Sequence, residues 1–158
     1  MLVLHAALKG GCIIALGVGL PADSARVIDD DTWGAMCIYA ESRSEPYEGQ
    51  VEVGRCIRYR TAKRFFSDGT VVGTVFSPHQ FSWTNTVDAQ RTRVLQVKKS
   101  DPAWQEAVRA WEESGRVSLD DAPSHYHASY VSPYWAKVHG MRFLKRIGRH
   151  LFYRDEEI

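Results

Sequence analysis

The feature that most constrains the fold lies between residues 29 and 46, where a helix start, an apolar stripe and a helix stop follow one another. Asp29 to Asp31 supply an N-cap and favourable negative charge for a helix that begins near Thr32. Four apolar side chains then follow at helical spacing, at Trp33, Met36, Cys37 and Ala40. This spacing predicts one helix face packed against a core. The helix must end before Pro46, because proline disfavours helical geometry at Glu45.

A second helix is predicted directly after this stop. Pro46 suits the first turn of a helix, and a new helical pattern then runs to about Arg64. Its repeating positions are Val53, Cys56, Ile57 and Arg60. The two helices therefore meet around Glu41, which lies at the edge of the first apolar stripe.

The rest of the chain reads as mixed elements. Residues 70–76 are rich in Val and Thr and read as extended, and Ser77 and Pro78 then turn the chain into residues 80–83. Together these segments resemble a small hairpin or lobe. Asp101 and Pro102 begin a helix to Ser114, whose tryptophans are expected in the core. Residues 124–130 and 148–153 read as strands. The prediction is a mostly helical α+β domain with a small antiparallel β element.

Length and charge limit the number of domains and the choice of partner. The 158 residues suit one globular domain, which we place at residues 30–158 and expect to be a monomer. Hydrophobic residues make up 44% of the chain, which is ordinary for a folded protein. The formal net charge of +1 gives no general field for nucleic acid, so no nucleic acid partner is expected.

Residues 1–25 differ from the rest because they are apolar with few polar side chains. The uninterrupted apolar stretch at residues 10–20 matches a signal-peptide core and is too short to span a bilayer. Three interpretations stay open: a cleaved export signal, a releasable anchor with transient inner-membrane association, and a structural N-terminal helix. The first two predict a protein exported to the periplasm or cell wall, or one carried by a phage particle.

Three cysteines cannot all pair within one chain. Cys37 and Cys56 are expected to be small buried residues on the two helices. The alternative is a regulatory disulfide exchange with Cys12, because Cys37 lies one helical turn before Glu41.

Three blocks in order resemble the SleB-type cell wall hydrolases. Residues 40–50, AESRSEPYEGQ, look like that family's A-E-A-R-G-E-P-Y-E-G-Q signature. Residues 76–83, FSPHQFSW, are similar to its Q-F-S-W segment, and residues 145–153, KRIGRHLFY, resemble its closing I-G-x-H-x-F motif. The family includes spore cortex-lytic enzymes and phage endolysins. The resemblance implies a lysozyme-like fold related to lytic transglycosylases, with Glu41 as the single catalytic glutamate and Glu45 supporting the loop.

The chemistry of glycan cleavage suits one sheltered carboxyl group. Breaking a glycosidic bond needs a proton for the leaving oxygen, and a carboxylic acid supplies it near neutral pH only if its pKa is raised. An apolar helix end is expected to do this for Glu41. A second carboxylate, usual in glycosidases, is not evident. In a lytic transglycosylase the 6-hydroxyl of muramic acid replaces it, giving a 1,6-anhydro product.

Alternatives remain for the activity and for its setting. A hydrolytic muramidase of the same fold, or an inactive wall-binding or virion structural protein, would carry the same blocks. The short single domain favours a phage endolysin acting on peptidoglycan. Sugar-binding side chains are predicted at Gln80, Phe81, Ser82, Trp83, Tyr126 and His127.

No cofactor or metal is expected. Only His125 and His127 share a strand face, and there is no His-Glu-x-x-His or paired cysteine motif. A Cys37 nucleophile is disfavoured because a helix interior beside apolar residues is a poor place for a thiolate.

Overall fold

The computed structural model describes residues 11–13, 27–85 and 89–158. Its helices are α1 (Asp30–Ser42), α2 (Tyr47–Lys63), α3 (Val71–Val75), α4 (Ala89–Leu95) and α5 (Pro102–Ser114). Its strands are β1 (Gly11–Ile13), β2 (Val27–Asp29), β3 (His125–Ala128), β4 (Met141–Ile147) and β5 (His150–Asp155). Single 3₁₀ turns cover Ser82–Thr84 and Tyr134–Lys137.

Two antiparallel sheets accompany the helices. The larger has the strand order β3-β5-β4, with Tyr126 opposite Phe152 and a register irregularity between Phe143 and Lys145. The smaller pairs Gly11–Ile13 with Val27–Asp29, directly before α1. Apart from residues 11–13, the proposed export segment at 1–25 lies outside the described residues.

The two predicted helices around Glu41 form because their ends are well specified. The Asp29 carboxylate accepts a hydrogen bond from the Thr32 amide at 2.7 Å, which caps α1. Pro46 begins α2, and Arg64 ends it in the left-handed conformation at φ 53°. The predicted starts and ends of these helices are confirmed to within a few residues.

The core lies where α1, α2 and α5 pack together. Trp33, Ile38 and Ile57 are fully buried there, and Phe152 joins them from the sheet. Gly34 lets α1 approach α5 closely, because a Cβ atom at this position would lie 2.5 Å from the Trp111 ring. The predicted helix from Pro102 to Ser114 is confirmed, and Asp101 caps it by accepting from the Ala103 amide at 2.8 Å.

Two local predictions are wrong. Residues 71–75 form a helix and not an extended segment, because the Thr70 hydroxyl caps the Gly73 amide at 2.9 Å. The Asp30 carboxylate also accepts from the amides of Val71 and Val72, each at 3.2 Å. Residues 70–76 and 80–83 do not form a hairpin, since the first segment is helical and the second enters a 3₁₀ turn.

In the part of the chain that the structure describes, no helix combines the length and the apolar character that crossing a bilayer requires.

Candidate functional site

Glu41 lies in the last turn of α1, where β3 passes close to the helix. The Tyr126 hydroxyl donates a hydrogen bond to Glu41 Oε2 at 3.2 Å. The Tyr126 ring packs beside His150 and Phe152, with ring centroids 5.2 Å and 5.9 Å away. The strand therefore fixes a hydroxyl against the glutamate.

Burial and the neighbouring carboxylate decide the charge state of Tyr126. Burial raises the pKa of the Tyr126 hydroxyl well above its usual range, and the negative charge of Glu41 raises it further. The hydroxyl is thus protonated at physiological pH and acts as a donor to Glu41.

The floor beneath Glu41 is apolar. Cys37 lies one helical turn earlier and is fully buried, and Trp83 Nε1 donates to its Sγ at 3.5 Å. Burial raises the pKa of the Cys37 thiol well above its usual range, and Glu41 adds to the rise. Cys37 and Cys56 are both free, buried thiols, and the side chain of Cys12 lies outside the described residues. The disulfide exchange with Cys12 stays a prediction.

Glu45 holds the turn that follows Glu41. Its carboxylate accepts from the Arg149 backbone amide at 2.8 Å and from Arg149 Nε at 2.7 Å. Burial alone would raise the pKa of Glu45, but the two Arg149 bonds outweigh it and hold the pKa below its ordinary value. Glu45 is therefore charged and engaged by Arg149.

The β4–β5 turn is shaped to receive this carboxylate. Gly148 has φ 54°, in the left-handed region, and a Cβ atom there would collide with the Glu45 carboxylate and the Pro46 ring. From the other side, the buried Gln50 amide donates to the Glu45 carbonyl at 3.2 Å. The turn after Glu41 is thus clamped between the sheet and α2.

The aromatic side chains predicted to line a sugar groove are placed differently from that expectation. Phe81 is 3% exposed and Trp83 is 1% exposed, so both rings belong to the core and offer no open face for stacking. Ser82 between them is exposed. A single sequence does not show which side of a 3₁₀ turn faces inward, and both aromatic residues turn inward here.

His127 points away from Glu41 because successive residues of a strand alternate between its faces. Its ring stacks on Tyr153 with centroids 5.3 Å apart, and its Nε2 lies 3.2 Å from the Tyr153 hydroxyl. Tyr126 on the opposite face reaches Glu41. Of the predicted groove residues, the structure brings Tyr126 to Glu41 and places His127 on the outer face of the sheet.

Arg60 is a feature of the site that the sequence patterns did not single out. It lies on the apolar stripe of α2, and its guanidinium is buried. It donates to the Ser124 carbonyl at 2.6 Å and to Gln80 Oε1 at 2.9 Å. The sequence feature that could have identified Arg60 is its charge, which stands at a position of the apolar stripe of α2.

Two open cavities lie elsewhere on the surface. The larger, about 740 Å³, is bordered by α1, α4 and the start of α5, and Tyr39, Arg93 and Asp101 contribute to its lining. The smaller, about 500 Å³, lies beside α2 and is lined in part by Arg58 and Val71. Glu41 lines neither of them. The candidate site is therefore assigned from the hydrogen bond between Tyr126 and Glu41. Within the described ranges, no three His, Cys, Asp or Glu side chains are grouped to hold a metal ion.

His125 gives the fold a measurable pH dependence. Burial, with the Arg60 charge as a second cause, lowers the pKa of His125 from 6.5 to about 4. The unfolded chain therefore binds more protons than the folded chain between these pH values, and the free energy of unfolding falls as the pH drops from about 6.5 to about 4. This contribution amounts to about 3 kcal/mol at most.

We expect His125→Phe to flatten that fall, because phenylalanine keeps a ring beside Phe65 and Trp135 and takes up no proton. Urea unfolding at pH 4.5 and 7 measures the change. His139→Gln, at an exposed histidine, is the control and should keep the parent's slope. Equal slopes in the parent and in His125→Phe would contradict the assignment.

The chain is similar in sequence to known proteins. A family model described as Cell Wall Hydrolase matches residues 44–153. The spore cortex-lytic enzyme of Oceanobacillus iheyensis is 30% identical over 125 residues, which cover 75% of this chain and 39% of that protein. The spore cortex-lytic enzyme of Bacillus subtilis is 29% identical over 121 residues, covering 75% of this chain and 35% of that protein. The chain thus spans less than half the length of these relatives.

Solved structures show the same fold. The catalytic domain of the Bacillus cereus SleB protein aligns with a TM-score of 0.62 at 24% identity, covering 79% of this chain and 89% of that domain. The catalytic domain of the germination-specific lytic transglycosylase SleB from Bacillus anthracis aligns with a TM-score of 0.61, also at 24% identity, covering 79% and 93%. These matches confirm the predicted α+β, lysozyme-like fold with its small antiparallel sheet.

Proposed function

Because the chain belongs to the cell wall hydrolase family, we propose that it cleaves the glycan strand of peptidoglycan with Glu41 as its acid/base residue. The observation that carries this proposal is the carboxyl group at the end of α1, held by a hydrogen bond from Tyr126 and underlain by the buried Cys37. A carboxyl group held in place on an apolar floor suits proton transfer to a leaving oxygen.

The Tyr126 bond favours the form that Glu41 takes after it has given up its proton. Hydrogen bonds to a charged acceptor are stronger than those to a neutral one. As Glu41 donates its proton to the glycosidic oxygen and becomes a carboxylate, the bond from Tyr126 strengthens. The interaction therefore stabilises the developing negative charge more than it stabilises the resting acid.

The position of Glu45 favours a transglycosylase over a two-carboxylate hydrolase. Glycosidases with two carboxylates keep the second one free to activate water or to attack the sugar. Glu45, four residues from Glu41, is bound by Arg149 at both of its carboxylate oxygens and is not free to do so.

In the proposed reaction Glu41 acts twice on the bond between muramic acid and glucosamine. It first gives its proton to the leaving oxygen of the glucosamine. It then takes the proton of the muramic acid 6-hydroxyl as that oxygen bonds to the anomeric carbon. The muramic acid product carries a 1,6-anhydro ring, no water is consumed, and Glu41 ends in its starting protonation state.

Mass spectrometry of digested walls tests the proposal. Purified peptidoglycan sacculi and spore cortex are incubated with the protein, and the soluble fragments are weighed. Fragments ending in 1,6-anhydromuramic acid support the transglycosylase. Reducing fragments heavier by one water identify a muramidase, which keeps the role of Glu41 as acid but replaces the 6-hydroxyl with water. Folded protein that sediments with sacculi and releases nothing would overturn the proposal in favour of a wall-binding protein.

The substrate sets where the protein acts. Peptidoglycan lies outside the cytoplasmic membrane, so the proposal places the active protein in the periplasm or wall, or on a phage particle. We propose that the protein acts as a monomeric phage endolysin. Sequencing the N-terminus of the mature protein tests whether residues 1–25 are removed on export.

Tyr126→Phe is expected to slow glycan cleavage about tenfold while the fold is retained. The substitution removes one hydrogen bond to a charged group, worth about 1.5 to 3 kcal/mol, and keeps the ring packed on Phe152. Turnover of labelled sacculi and the unfolding temperature measure the two effects. Tyr134→Phe, at an exposed tyrosine, is the matched control and should act like the parent. Unchanged turnover in Tyr126→Phe would show that this bond does not contribute.

A further inference from the structure

Arg60 is a buried cation whose guanidinium donates hydrogen bonds to two neutral oxygens. Arg60 is 6% exposed, and its guanidinium lies 5.9 Å from the ring centroid of Phe65 and 5.6 Å from that of Phe81. Its polar contacts are the Ser124 carbonyl and the Gln80 side-chain oxygen. Burying a charge against neutral partners is costly, so these contacts need a reason beyond packing.

The contact with Arg60 fixes the orientation of the Gln80 amide. A guanidinium has only donors, so the amide must present its oxygen to Arg60 and turn its nitrogen away. Gln80 is partly exposed, and its side-chain nitrogen is not among the described buried polar atoms that lack a partner. The two N–H groups therefore lie on the side of the amide away from Arg60, on a side chain that is partly exposed.

Two contacts bring the segment that carries this amide near the Glu41 end of α1. Trp83, three residues after Gln80, donates to Cys37 Sγ at 3.5 Å, and Arg60 donates to the carbonyl of Ser124, two residues before Tyr126. The Arg60 charge also lowers the pKa of the Tyr126 hydroxyl against the larger effect of burial. Tyr126 is the residue bonded to Glu41. The Arg60 contact thus joins α2, the segment before the 3₁₀ turn and β3, and these elements surround the Glu41 end of α1.

We propose that Arg60 is a positioning residue that presents the Gln80 amide N–H groups to the N-acetyl carbonyl of a glycan sugar. This inference rests on the proposed function, since peptidoglycan sugars carry N-acetyl groups. An amide carbonyl is a strong neutral acceptor, and a cation on the amide oxygen polarises Gln80 and strengthens its N–H donors. The subsite would therefore recognise acetamido sugars over sugars that carry a hydroxyl at the same carbon.

Two substitutions of Gln80 separate recognition from stability. Gln80→Glu keeps the shape and gives Arg60 an anion, but it has no N–H donor. Gln80→Met also keeps the size, but it leaves Arg60 without its acceptor. Both are expected to bind acetamido sugar about tenfold more weakly than the parent. Their unfolding temperatures should move in opposite directions, with Gln80→Glu at or above the parent and Gln80→Met below it.

Neutral tetrasaccharides provide the binding probes. Calorimetry compares the N-acetylglucosamine tetramer with the glucose tetramer, using proteins that also carry Glu41→Gln to prevent turnover. The protein with native Gln80 is expected to prefer the acetylated tetramer by about tenfold, and both Gln80 variants are expected to lose this preference. A preference that persists in Gln80→Glu would overturn the inference, as would an unfolding temperature of Gln80→Glu as low as that of Gln80→Met.

Arg60→Lys tests the positioning role directly. Lysine keeps the charge but lacks the planar fork that reaches Ser124 and Gln80 together, so the preference for the acetylated tetramer should fall several-fold. If folded Arg60→Lys kept the parent's preference for the acetylated tetramer, Arg60 would not be a positioning residue for Gln80. Wall cleavage by the parent, measured separately, reports on the proposed function. Cleavage without a Gln80-dependent preference would reject this inference alone, and the preference without cleavage would reject the catalytic proposal alone.

Discussion

A Glu41→Gln protein is expected to fold like its parent and to release soluble glycan fragments at least about a thousandfold more slowly. General acid catalysis contributes about 10²- to 10⁴-fold, and here one residue is proposed to act both as acid and as base. Glutamine keeps the shape and an oxygen that accepts the Tyr126 bond, but it has no proton to give. Release of labelled fragments from sacculi, with circular dichroism of the same samples, measures the rate and the fold.

The matched control for this substitution is Glu48→Gln. Glu48 is an exposed glutamate in the first turn of α2, seven residues further along the chain, and should tolerate the same change without loss of rate. Substantial lysis by Glu41→Gln would mean that another group supplies the proton, and the mechanism would then have to be abandoned.

Gly34→Ala is expected to cost about 2 kcal/mol or more in the free energy of unfolding. Alanine normally favours a helix over glycine by about 1 kcal/mol, but a Cβ atom at this position would lie 2.5 Å from the Trp111 ring. The helices α1 and α5 must then separate, and overpacking of this kind typically costs about 1 to 3 kcal/mol. Urea unfolding followed by fluorescence measures the loss.

Gly49→Ala is the control for the effect of helix propensity. It places the same methyl group in α2, where the nearest heavy atom is Ile147 Cγ2 at 3.3 Å, so a small shift of one side chain accommodates it. The tight contact with Ile147 is expected to offset part of the gain in helix propensity of about 1 kcal/mol, so its stability should equal the parent's or exceed it by up to about 1 kcal/mol. If Gly34→Ala proved as stable as Gly49→Ala, the close approach of α1 to α5 would not be a constraint on this fold.

The helices around Glu41 were predictable because their signals are local. An Asp cap before α1, Pro46 between α1 and α2, and the Asp101 cap of α5 each act within a few residues of where they occur. The error at α3 had a different cause. The segment VVGTV has a strand-like composition, and its helix depends on Asp30, about 40 residues earlier, which binds two of its amides.

The residues of the candidate site were predictable from the sequence, but the contacts between them were not, because those contacts join distant parts of the chain. The sequence drew attention to Glu41 and Tyr126, but the hydrogen bond between them joins positions 85 residues apart. The alternation of β3 predicted that Tyr126 and His127 face opposite ways, without showing which of them faces α1. Helix α4 and strand β4 were not predicted.

The bonds between Glu45 and Arg149 join residues 104 positions apart, and this separation has a consequence for synthesis. Glu45 is translated well before Arg149, so during synthesis the turn after Glu41 first has only its contacts with nearby residues such as Gln50. The surroundings of Glu41 are therefore completed only when β5, the last strand of the described chain, has paired with its neighbours.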